Sequence, residues 1–249
     1  MKTLGFMRIK NEERWILRVI KSMLPVCERI LILDDNSTDD TASICEAFPQ
    51  VTLFHSTFEG INEVRDKNVL MERLEEIAKE GDAIVHCDGD EEIAAGSHEQ
   101  IRRIASSDRQ NDAWRFHILY LWDTPDQIRV DGIYRDFWRP SMFRFHPGAR
   151  FVSHTPGGFH CGNAPEPRNI VRMPAEILHY GYLHREDRIR KWNWYNSIDP
   201  VNRSEGYDDR FPERRCYPHI VQGDIPEVPA NARLMHAGPL QLESLKILA

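Results

Sequence analysis

The stretch Ala83-Ile-Val-His-Cys-Asp-Gly-Asp-Glu-Glu92 joins a short apolar run directly to four carboxylates. Asp88 and Asp90 are two residues apart, so on an extended backbone their side chains leave the same face. Gly89 between them also permits a turn that would bring both carboxylates onto one hard cation such as Mg²⁺ or Mn²⁺. For an Asp-x-Asp pair on its own, the alternative interpretation is an acidic, solvated turn after a strand. The rest of the chain favours the cation-binding interpretation.

Three segments upstream have the composition of strands, and a helical pattern follows each of them. The run Arg29-Ile-Leu-Ile-Leu33 is continuously apolar, as expected for a strand buried on both faces of a parallel sheet. Strand and helix alternate four times in about 100 residues, which predicts a mostly parallel, Rossmann-like α/β sheet flanked by helices. The ligand crevice of such a sheet lies at the carboxyl ends of its strands. The predicted strands are Thr3–Ile9, 29–33, Val51–His55 and 83–87, and the predicted helices run from Asn11 to Pro25, from 41 to 48 and from 65 to 79.

The chain changes character after residue 113. Segments 114–122 and 134–145 are rich in alternating aromatic residues and predict antiparallel strands. Segment 145–174 has the composition of a loop, and 186–195 that of a helix. We therefore expect one α/β domain over residues 1–199, followed by an irregular C-terminal arm or flap at 200–249.

Composition narrows the class of protein further. The formal net charge of −7 argues against a dedicated nucleic-acid-binding protein, which normally carries a basic excess. Five scattered cysteines without a C-x-x-C pair favour reduced thiols over a disulfide framework. No stretch reaches the length of a membrane span, and the N-terminus lacks the pattern of a signal peptide. These features predict a soluble, cytoplasmic protein.

Taken together, the strand-end motifs of the first 95 residues resemble those of the family 2-like glycosyltransferases of the GT-A fold. The order of the motifs along the chain, each at its expected strand or helix, carries the resemblance more than any one of them. It continues more weakly through Trp138-Arg-Pro-Ser-Met-Phe-Arg144 and His179-Tyr-Gly-Tyr-Leu-His184. The motifs of the first part are Lys10-Asn-Glu-Glu13, Asp34-Asp-Asn-Ser-Thr-Asp39, Asn62-Glu-Val-Arg65 and Asp88-Gly-Asp-Glu91.

The resemblance implies a transferase that moves a hexose-type sugar from a nucleotide-diphosphate donor, such as a UDP- or GDP-sugar. A nucleotide-binding half over residues 1–95 and an acceptor half over 96–199 are expected. Mn²⁺ or Mg²⁺ at Asp88 and Asp90 would bridge the donor phosphates, with Asp90 the stronger ligand and Asp88 either nearer the ribose or acting through water. Asp34 and Asp35 would accept hydrogen bonds from the base or ribose; their alternative role is to cap a turn before a helix.

Further residues receive roles from the same resemblance. Arg65 would contact phosphate, and Arg188, Arg190 and Lys191 would bind the donor phosphates when a flap closes; each could instead be a solvated surface cation. His179 is the expected third metal ligand, since neutral imidazole binds Mn²⁺, and His184 is the competing candidate.

The proton acceptor of the reaction is less well defined by the sequence. An inverting transferase, which is our expectation, needs a carboxylate that takes the proton of the acceptor hydroxyl. Asp131 and Asp136 are the candidates, although a turn or a salt bridge explains such residues equally well. A retaining enzyme would need no such base, so the stereochemistry stays open. The acceptor could be a glycan, a small molecule, a peptide or a modified nucleic acid.

Three other classes of protein agree less well with the sequence. A sugar-1-phosphate nucleotidyltransferase should carry a glycine-rich loop after the first strand, whereas this chain has Met7-Arg-Ile-Lys-Asn-Glu-Glu13. A calcium-binding loop needs glycine at its sixth position, where this chain has Asp40. A catalytically silent nucleotide-sugar-binding protein on the same fold is the remaining alternative, and the presence of the metal-binding carboxylates argues against it.

Overall fold

The structure is a computed structural model, and it describes residues 1–153, 160–198, 217–221 and 223–224. The strands are β1 (Thr3–Ile9), β2 (Arg29–Asp34), β3 (Val51–His55), β4 (Ala83–His86), β5 (Glu91–Ile93), β6 (Ala113–Trp122), β7 (Thr124–Ile128), β8 (Trp138–Arg144) and β9 (Ile170–His179). The α-helices are α1 (Ile16–Met23), α2 (Thr41–Glu46), α3 (Glu63–Glu75), α4 (His98–Ser107) and α5 (Arg185–Ile198). Short 3-10 helices occupy Ala95–Ser97, Gly132–Tyr134 and Pro218–Ile220.

The strands form one mixed sheet in the order β3-β2-β1-β4-β8-β6-β9-β5, and β7 pairs with β6. β3, β2, β1 and β4 are parallel, as predicted. β8 joins the far edge of β4 in the antiparallel direction, and β6 is antiparallel to β8 but parallel to β9. The antiparallel texture predicted for the second half is therefore correct for β8 and for the β6–β7 hairpin.

Apolar residues cover both faces of the parallel part of the sheet. Along β2, Ile30 and Ile32 point to one core, and Leu31 and Leu33 point to the other. This alternation follows from the period of two in a strand, and it explains why the whole segment is apolar. Helix α1 covers the first face through residues such as Ile16, while α3 covers the second through residues such as Leu70.

Several predicted element boundaries were wrong. Helix α1 begins at Ile16 and not at Asn11, because Asn11 has φ 53° and the backbone N–H of Glu12 donates to Thr41 Oγ1. Helix α3 begins earlier than predicted, at Glu63, where Asn62 caps it by accepting the N–H of Arg65 at 2.9 Å.

The interval predicted as a loop at 145–174 includes the first part of β9, which starts at Ile170. This part of β9 is half exposed, with Met173 and Ala175 buried between exposed neighbours that include Arg172 and Pro174, so its composition resembles that of a loop. In the interval 134–145, predicted as a strand throughout, pairing begins only at Trp138, after the 3-10 turn Gly132–Tyr134.

The division into a nucleotide-binding half before residue 95 and an acceptor half after it stays a prediction. The sheet is continuous across this boundary, because β5 of the first half pairs with β9 of the second. The predicted arm at 200–249 lies outside the described residues except for 217–221 and 223–224. Within that part, Ile220 and Val221 are buried against Trp192 of α5. No helix in the described part of the chain is both long and apolar enough to cross a membrane.

Candidate active site

The carboxyl ends of β1, β2 and β4 lie side by side at one edge of the sheet. Ile9 at the end of β1 is opposite Asp34 on one side, and Phe6 is opposite His86 of β4 on the other. The acidic segments after β2 and β4 therefore flank the segment that follows β1. This is the juxtaposition that the strand-end motifs predict.

Asp34 and Asp35 are both buried at the end of β2, but they have different partners. Asp34 accepts the backbone N–H of Ser37 at 3.2 Å and also the hydroxyl of Ser37, so it stabilises the turn that leads into α2. His55 Nδ1 lies 3.4 Å from Asp34 Oδ2. Asp35 accepts a hydrogen bond from Arg8, and Lys10 Nζ lies 3.5 Å from its Oδ2. The turn-capping role is present at Asp34, and the donor-binding role of both residues stays a prediction.

Arg139 of β8 holds Asp88 and Glu91 together. Its Nη1 lies 3.0 Å from Asp88 Oδ2, and its Nη2 donates to Glu91. Burial alone would raise the pKa of Asp88, but the Arg139 guanidinium lowers it below its usual range. Burial raises the pKa of Glu91 to about 7 in spite of the same guanidinium. The first carboxylate of the Asp-x-Asp pair is thus held ionised by a protein cation.

Lys191 of α5 holds Asp90. Its Nζ lies 2.6 Å from Asp90 Oδ2, and only 7% of the Asp90 side chain is exposed. The backbone at Gly181 passes so close that a Cβ there would overlap both of these atoms and would lie 2.7 Å from His179 Cε1. Burial would raise the pKa of Asp90, but Lys191 lowers it. Asp90, Lys191 and His179 therefore surround one glycine.

The structure brings His179 to Asp90 and leaves His184 elsewhere, stacked on Trp15 at 6.1 Å between ring centroids. His179 Nδ1 accepts the backbone N–H of Gly181 at 3.1 Å. Burial lowers the pKa of His179 to about 4, so the imidazole is neutral at physiological pH and carries its proton on Nε2. A neutral imidazole is the form that binds metals, but the Gly181 N–H occupies its lone pair on Nδ1 in this structure, so binding a metal requires that hydrogen bond to break; the role of His179 as a ligand stays a prediction.

Glu12, which follows β1, is a site residue that the sequence did not single out. A Cβ on Gly89 would lie 2.6 Å from Glu12 Cγ, so the glycine of the Asp-x-Asp segment makes room for this side chain. Burial and the neighbouring Asp90 carboxylate raise the pKa of Glu12 to about 8. The edge of the sheet therefore carries a third carboxylate beside Asp88 and Asp90, and this one is largely protonated at neutral pH.

Arg65 is joined to the strand ends through other residues. Its Nε lies 2.7 Å from Asp66 Oδ1, and its Nη2 donates to the carbonyl of Gly60 at 2.9 Å. The other oxygen of Asp66 accepts from Arg8, which in turn pairs with Asp35. Arg65 thus belongs to an ion-pair chain that ends at the predicted base and ribose site, and a direct phosphate contact stays a prediction.

Arg188 and Lys191, one turn apart on α5, have different partners. The Arg188 guanidinium pairs with Asp123 at 2.9 Å and with Asp224 at 2.6 Å, and it donates to the carbonyl of Leu183 at 3.1 Å. Only 2% of its side chain is exposed. The structure therefore joins Arg188 to the C-terminal segment, whereas it joins Lys191 to the Asp-x-Asp segment.

The two candidate bases differ in how firmly they are held. Both oxygens of Asp131 accept from Arg129, at 2.6 and 3.0 Å. Asp136 accepts from the indole N–H of Trp138 and lies 3.4 Å from Arg172 Nη2, and 60% of its side chain is exposed. The hydrogen bond from Trp138 lowers the pKa of Asp136. The more accessible of the two is Asp136.

The carboxylates at the edge of the sheet match a divalent cation in chemical type. Asp88 and Asp90 offer the carboxylate oxygens that Mg²⁺ and Mn²⁺ prefer, Glu12 would offer another after losing its proton, and imidazole, the side chain of His179, is a ligand type acceptable to Mn²⁺. Among the described residues, however, no three His, Cys, Asp or Glu side chains are already arranged around a cation position. Two protein cations neutralise the Asp-x-Asp carboxylates instead.

Sequence reasoning missed three members of this cluster, namely Glu12, Glu91 and Arg139. Each of them stands in a motif that carries the family resemblance, but no local pattern shows which of its residues faces the crevice. The position of Arg139 depends on the antiparallel pairing of β8 with β4, in which Val85 is opposite Met142.

The fold and the strand-end carboxylates define the chain as a protein of the GT-A class. Residues 6–164 match the family described as Glycosyl transferase family 2, and the chain belongs to this family. No curated protein sequence matches the chain significantly.

Solved structures similar to the chain have the same fold. S. aureus TarS, residues 1–349, is 12% identical over 92% of this chain and 81% of that chain, with a TM-score of 0.51. The complex of the same TarS segment with UDP gives a TM-score of 0.52 at 11% identity, over 90% of this chain and 70% of that one. The mannosyltransferase PcManGT from Pyrobaculum calidifontis, in complex with GDP-Man and Mn²⁺, is 12% identical over 88% and 72% of the chains, with a TM-score of 0.50.

Proposed function

We propose that this protein transfers a sugar, of hexose type, from a nucleotide-diphosphate donor to an acceptor hydroxyl, with Mn²⁺ or Mg²⁺ as cofactor. Membership of glycosyl transferase family 2 supports the reaction class. The observation that carries the proposal is the placement of the acidic pairs after β2 and β4 on either side of β1, at the carboxyl edge of the sheet. This edge is where open α/β sheets bind ligands.

The donor lies along this edge with its nucleoside toward β2 and its diphosphate toward β4. Asp34 and Asp35 accept hydrogen bonds from the base or ribose, in an environment where Arg8 and Lys10 already balance the charge of Asp35. Lys191 and Asp88 reach the diphosphate side. The TarS and PcManGT structures contain UDP and GDP-Man, respectively, and we propose a UDP- or GDP-sugar as the donor.

Asp88 and Asp90, with His179 as the third ligand, are the residues that would hold the cofactor. A bound divalent metal would stabilise the negative charge that develops on the leaving nucleotide diphosphate. Asp90 is the principal ligand in this proposal because it is the more deeply buried of the two carboxylates and lies beside His179.

The acceptor step requires a base, and we propose an inverting reaction with Asp136 as that base. The Asp136 carboxylate takes the proton of the acceptor hydroxyl while the hydroxyl oxygen bonds to the anomeric carbon of the sugar. The bond between this carbon and the phosphate oxygen breaks, and its electron pair leaves with the nucleotide diphosphate. The exposure of Asp136 supports this choice, since an acceptor must reach the base. Asp131, which Arg129 holds through both oxygens, is the second candidate.

A thermal-shift screen of UDP, GDP, CDP and dTDP, with Mn²⁺ and with chelator, tests the donor site. We expect one nucleotide to raise the melting temperature with Mn²⁺ and to lose most of this effect with chelator. The variant Asp90→Asn leaves Lys191 without its carboxylate, so it should melt at a lower temperature without ligand; it should still fold and should lose the nucleotide response. If no nucleotide stabilises the protein under either condition, the proposed function is wrong.

A turnover assay with the corresponding nucleotide-sugar then distinguishes a transferase from a catalytically silent binding protein. Slow release of free sugar or nucleotide diphosphate in the absence of acceptor is expected of the transferase. A nucleotidyltransferase would instead consume sugar-1-phosphate and a nucleoside triphosphate, and we expect no such turnover.

A further inference from the structure

The contact between Lys191 and Asp90 points to a role for this lysine beyond binding a phosphate. We propose that Lys191 is the resident counter-ion of Asp90, that it gives up this carboxylate when a divalent cation binds there, and that the released ammonium then binds the donor diphosphate. The inference rests on the proposed function and deepens it, because it makes metal and donor binding depend on each other through one side chain.

The geometry of the site is built for this ion pair. Lys191 Nζ approaches Asp90 Oδ2 to 2.6 Å from a helix that begins 95 residues further along the chain. The pair fits only because residue 181 is glycine, where any Cβ would overlap both charged atoms. Only 21% of the Lys191 side chain and 7% of the Asp90 side chain are exposed. The pair is therefore largely shielded from solvent. Electrostatic interactions are stronger in such a shielded environment than in water.

The surroundings of the Lys191 ammonium favour a positive charge. The ring of Tyr182 lies 5.4 Å from Lys191 Nζ, within the range of a cation–π contact. With Asp90 Oδ2 at 2.6 Å, the ammonium has a carboxylate and an aromatic ring as neighbours. Lys191 thus places a positive charge at the carboxylate proposed as the main metal ligand.

A divalent cation and this ammonium act against each other at Asp90. Both need the same carboxylate, and two positive charges a few ångströms apart in a shielded site repel strongly. The metal therefore binds weakly while Lys191 stays in place. A diphosphate relieves the conflict, because its oxygens accept the ammonium and the metal at the same time.

The chain offers a matched control for this idea on the same helix. Arg190 is the neighbouring residue, its side chain is 68% exposed, and it pairs with Asp187 at 3.1 Å. Arg190→Met removes the same charge from α5 as Lys191→Met, but it leaves the ion pair between Lys191 and Asp90 in place. Lys191→Arg keeps the positive charge and presents it on a larger, planar guanidinium.

The test measures Mn²⁺ binding directly, by the loss of the free-ion electron paramagnetic resonance signal, without any nucleotide. We expect Lys191→Met to bind Mn²⁺ at least tenfold more tightly than the wild-type protein, and Arg190→Met and Lys191→Arg to stay within about threefold of it. Mn²⁺ affinity that is unchanged in Lys191→Met, or raised equally in Arg190→Met, overturns the proposal. Far-UV circular dichroism and melting temperature establish that each variant is folded.

A second measurement titrates the nucleotide identified by the thermal-shift screen into the same variants in the presence of saturating Mn²⁺, where the proposal has Lys191 released from Asp90. We expect Lys191→Met to bind it at least tenfold more weakly and Arg190→Met to bind it like the wild type. Equal nucleotide affinity in Lys191→Met overturns the second half of the proposal, while nucleotide binding to the wild type leaves the proposed function standing. If no nucleotide binds to any variant or to the wild type, the proposed function fails as well.

Discussion

Arg139 Nη1 lies 3.0 Å from Asp88 Oδ2, although 51 residues separate the two in sequence. The same guanidinium donates to Glu91, whose side chain is fully buried. A buried carboxylate without its cation is strongly destabilising, because the desolvation of the charge is no longer compensated. Arg139 is therefore a structural requirement of the Asp-x-Asp segment as well as a neighbour of the proposed donor site.

We expect Arg139→Met to lower the free energy of unfolding by about 3 kcal/mol. The double variant Arg139→Met, Glu91→Gln should recover more than half of this loss, because the fully buried carboxylate is then neutral. Arg102→Met, which removes an exposed arginine on α4, serves as the control and should change stability by less than about 0.5 kcal/mol. Urea unfolding at pH 7 measures all three, and equal losses in the single and double variants would contradict this account.

Asp136→Asn tests the proposed base. We expect kcat to fall at least about a hundredfold with unchanged donor affinity, because the amide cannot accept the proton of the acceptor. Asp131→Asn should lower kcat less than about tenfold, since Arg129 already occupies both oxygens of Asp131. Steady-state kinetics together with donor titration distinguish the two, and the reverse order of effects would make Asp131 the base.

Arg188→Met separates a structural role from a donor-binding role. The Arg188 guanidinium is buried against Asp224 and donates hydrogen bonds to backbone carbonyls. We therefore expect the substitution to lower the free energy of unfolding by about 3 kcal/mol. Donor affinity should change less than about threefold, which is about 0.7 kcal/mol. A loss of donor affinity at constant stability would instead favour the phosphate contact predicted from the family resemblance.

The pH dependence of stability carries a contribution from His219, in the short C-terminal 3-10 helix. Burial and the nearby Arg129 guanidinium lower the pKa of His219 to about 4. The unfolded chain, with an ordinary histidine pKa near 6.5, therefore takes up the proton first as the pH falls. The stability contributed by neutral His219 is complete above pH 6.5 or so and is lost between about pH 6.5 and pH 4.

His219→Phe keeps a ring against Tyr134 and removes this titration. We expect the wild type to lose about 1–2 kcal/mol more than the variant between pH 7.5 and pH 5, with the figure reduced for partial solvent exposure. Urea unfolding at the two pH values measures the difference, in which the contributions of all other titrating groups cancel. Parallel losses in both proteins would show that His219 is not buried in its neutral form.

How far the sequence predicts this site depends on how local each feature is. Asp34, Asp35, Asp88 and Asp90 lie, as predicted, at the carboxyl ends of two strands that flank β1, because apolar runs identify buried strands and parallel pairing places their carboxyl ends on one side of the sheet. The cations that hold these carboxylates were not predictable in the same way. The pairing of Asp88 with Arg139 depends on the register of an antiparallel strand, which no local pattern fixes.

The contact of Lys191 with Asp90 depends on a helix that packs beside the crevice 101 residues away. The sequence singled out Lys191 as a phosphate-binding candidate, but nothing in its neighbourhood indicated a carboxylate partner. Gly181 was the local signal for a close approach, since it stands in the motif between His179 and His184. Only the fold shows that the absence of a side chain at Gly181 makes room for Asp90 and Lys191.

Gly181→Ala tests this close approach. The added methyl group would overlap Asp90 Oδ2 and Lys191 Nζ, so at least one of the two side chains has to move. We expect nucleotide affinity to fall at least about tenfold, which corresponds to about 1.4 kcal/mol. The free energy of unfolding should fall by about 1–3 kcal/mol, as is usual when a tightly packed site receives an extra carbon.

Gly96→Ala is the matched control, because no atom lies within 4 Å of the position its Cβ would take. It should leave nucleotide affinity unchanged and alter stability by less than about 1 kcal/mol, in the stabilising direction where its backbone conformation suits alanine. Thermal shift and nucleotide titration of the two variants side by side measure both effects. If Gly181→Ala binds nucleotide like Gly96→Ala, donor binding does not need Asp90 and Lys191 in the positions seen here, and the site assignment at the end of β4 is wrong.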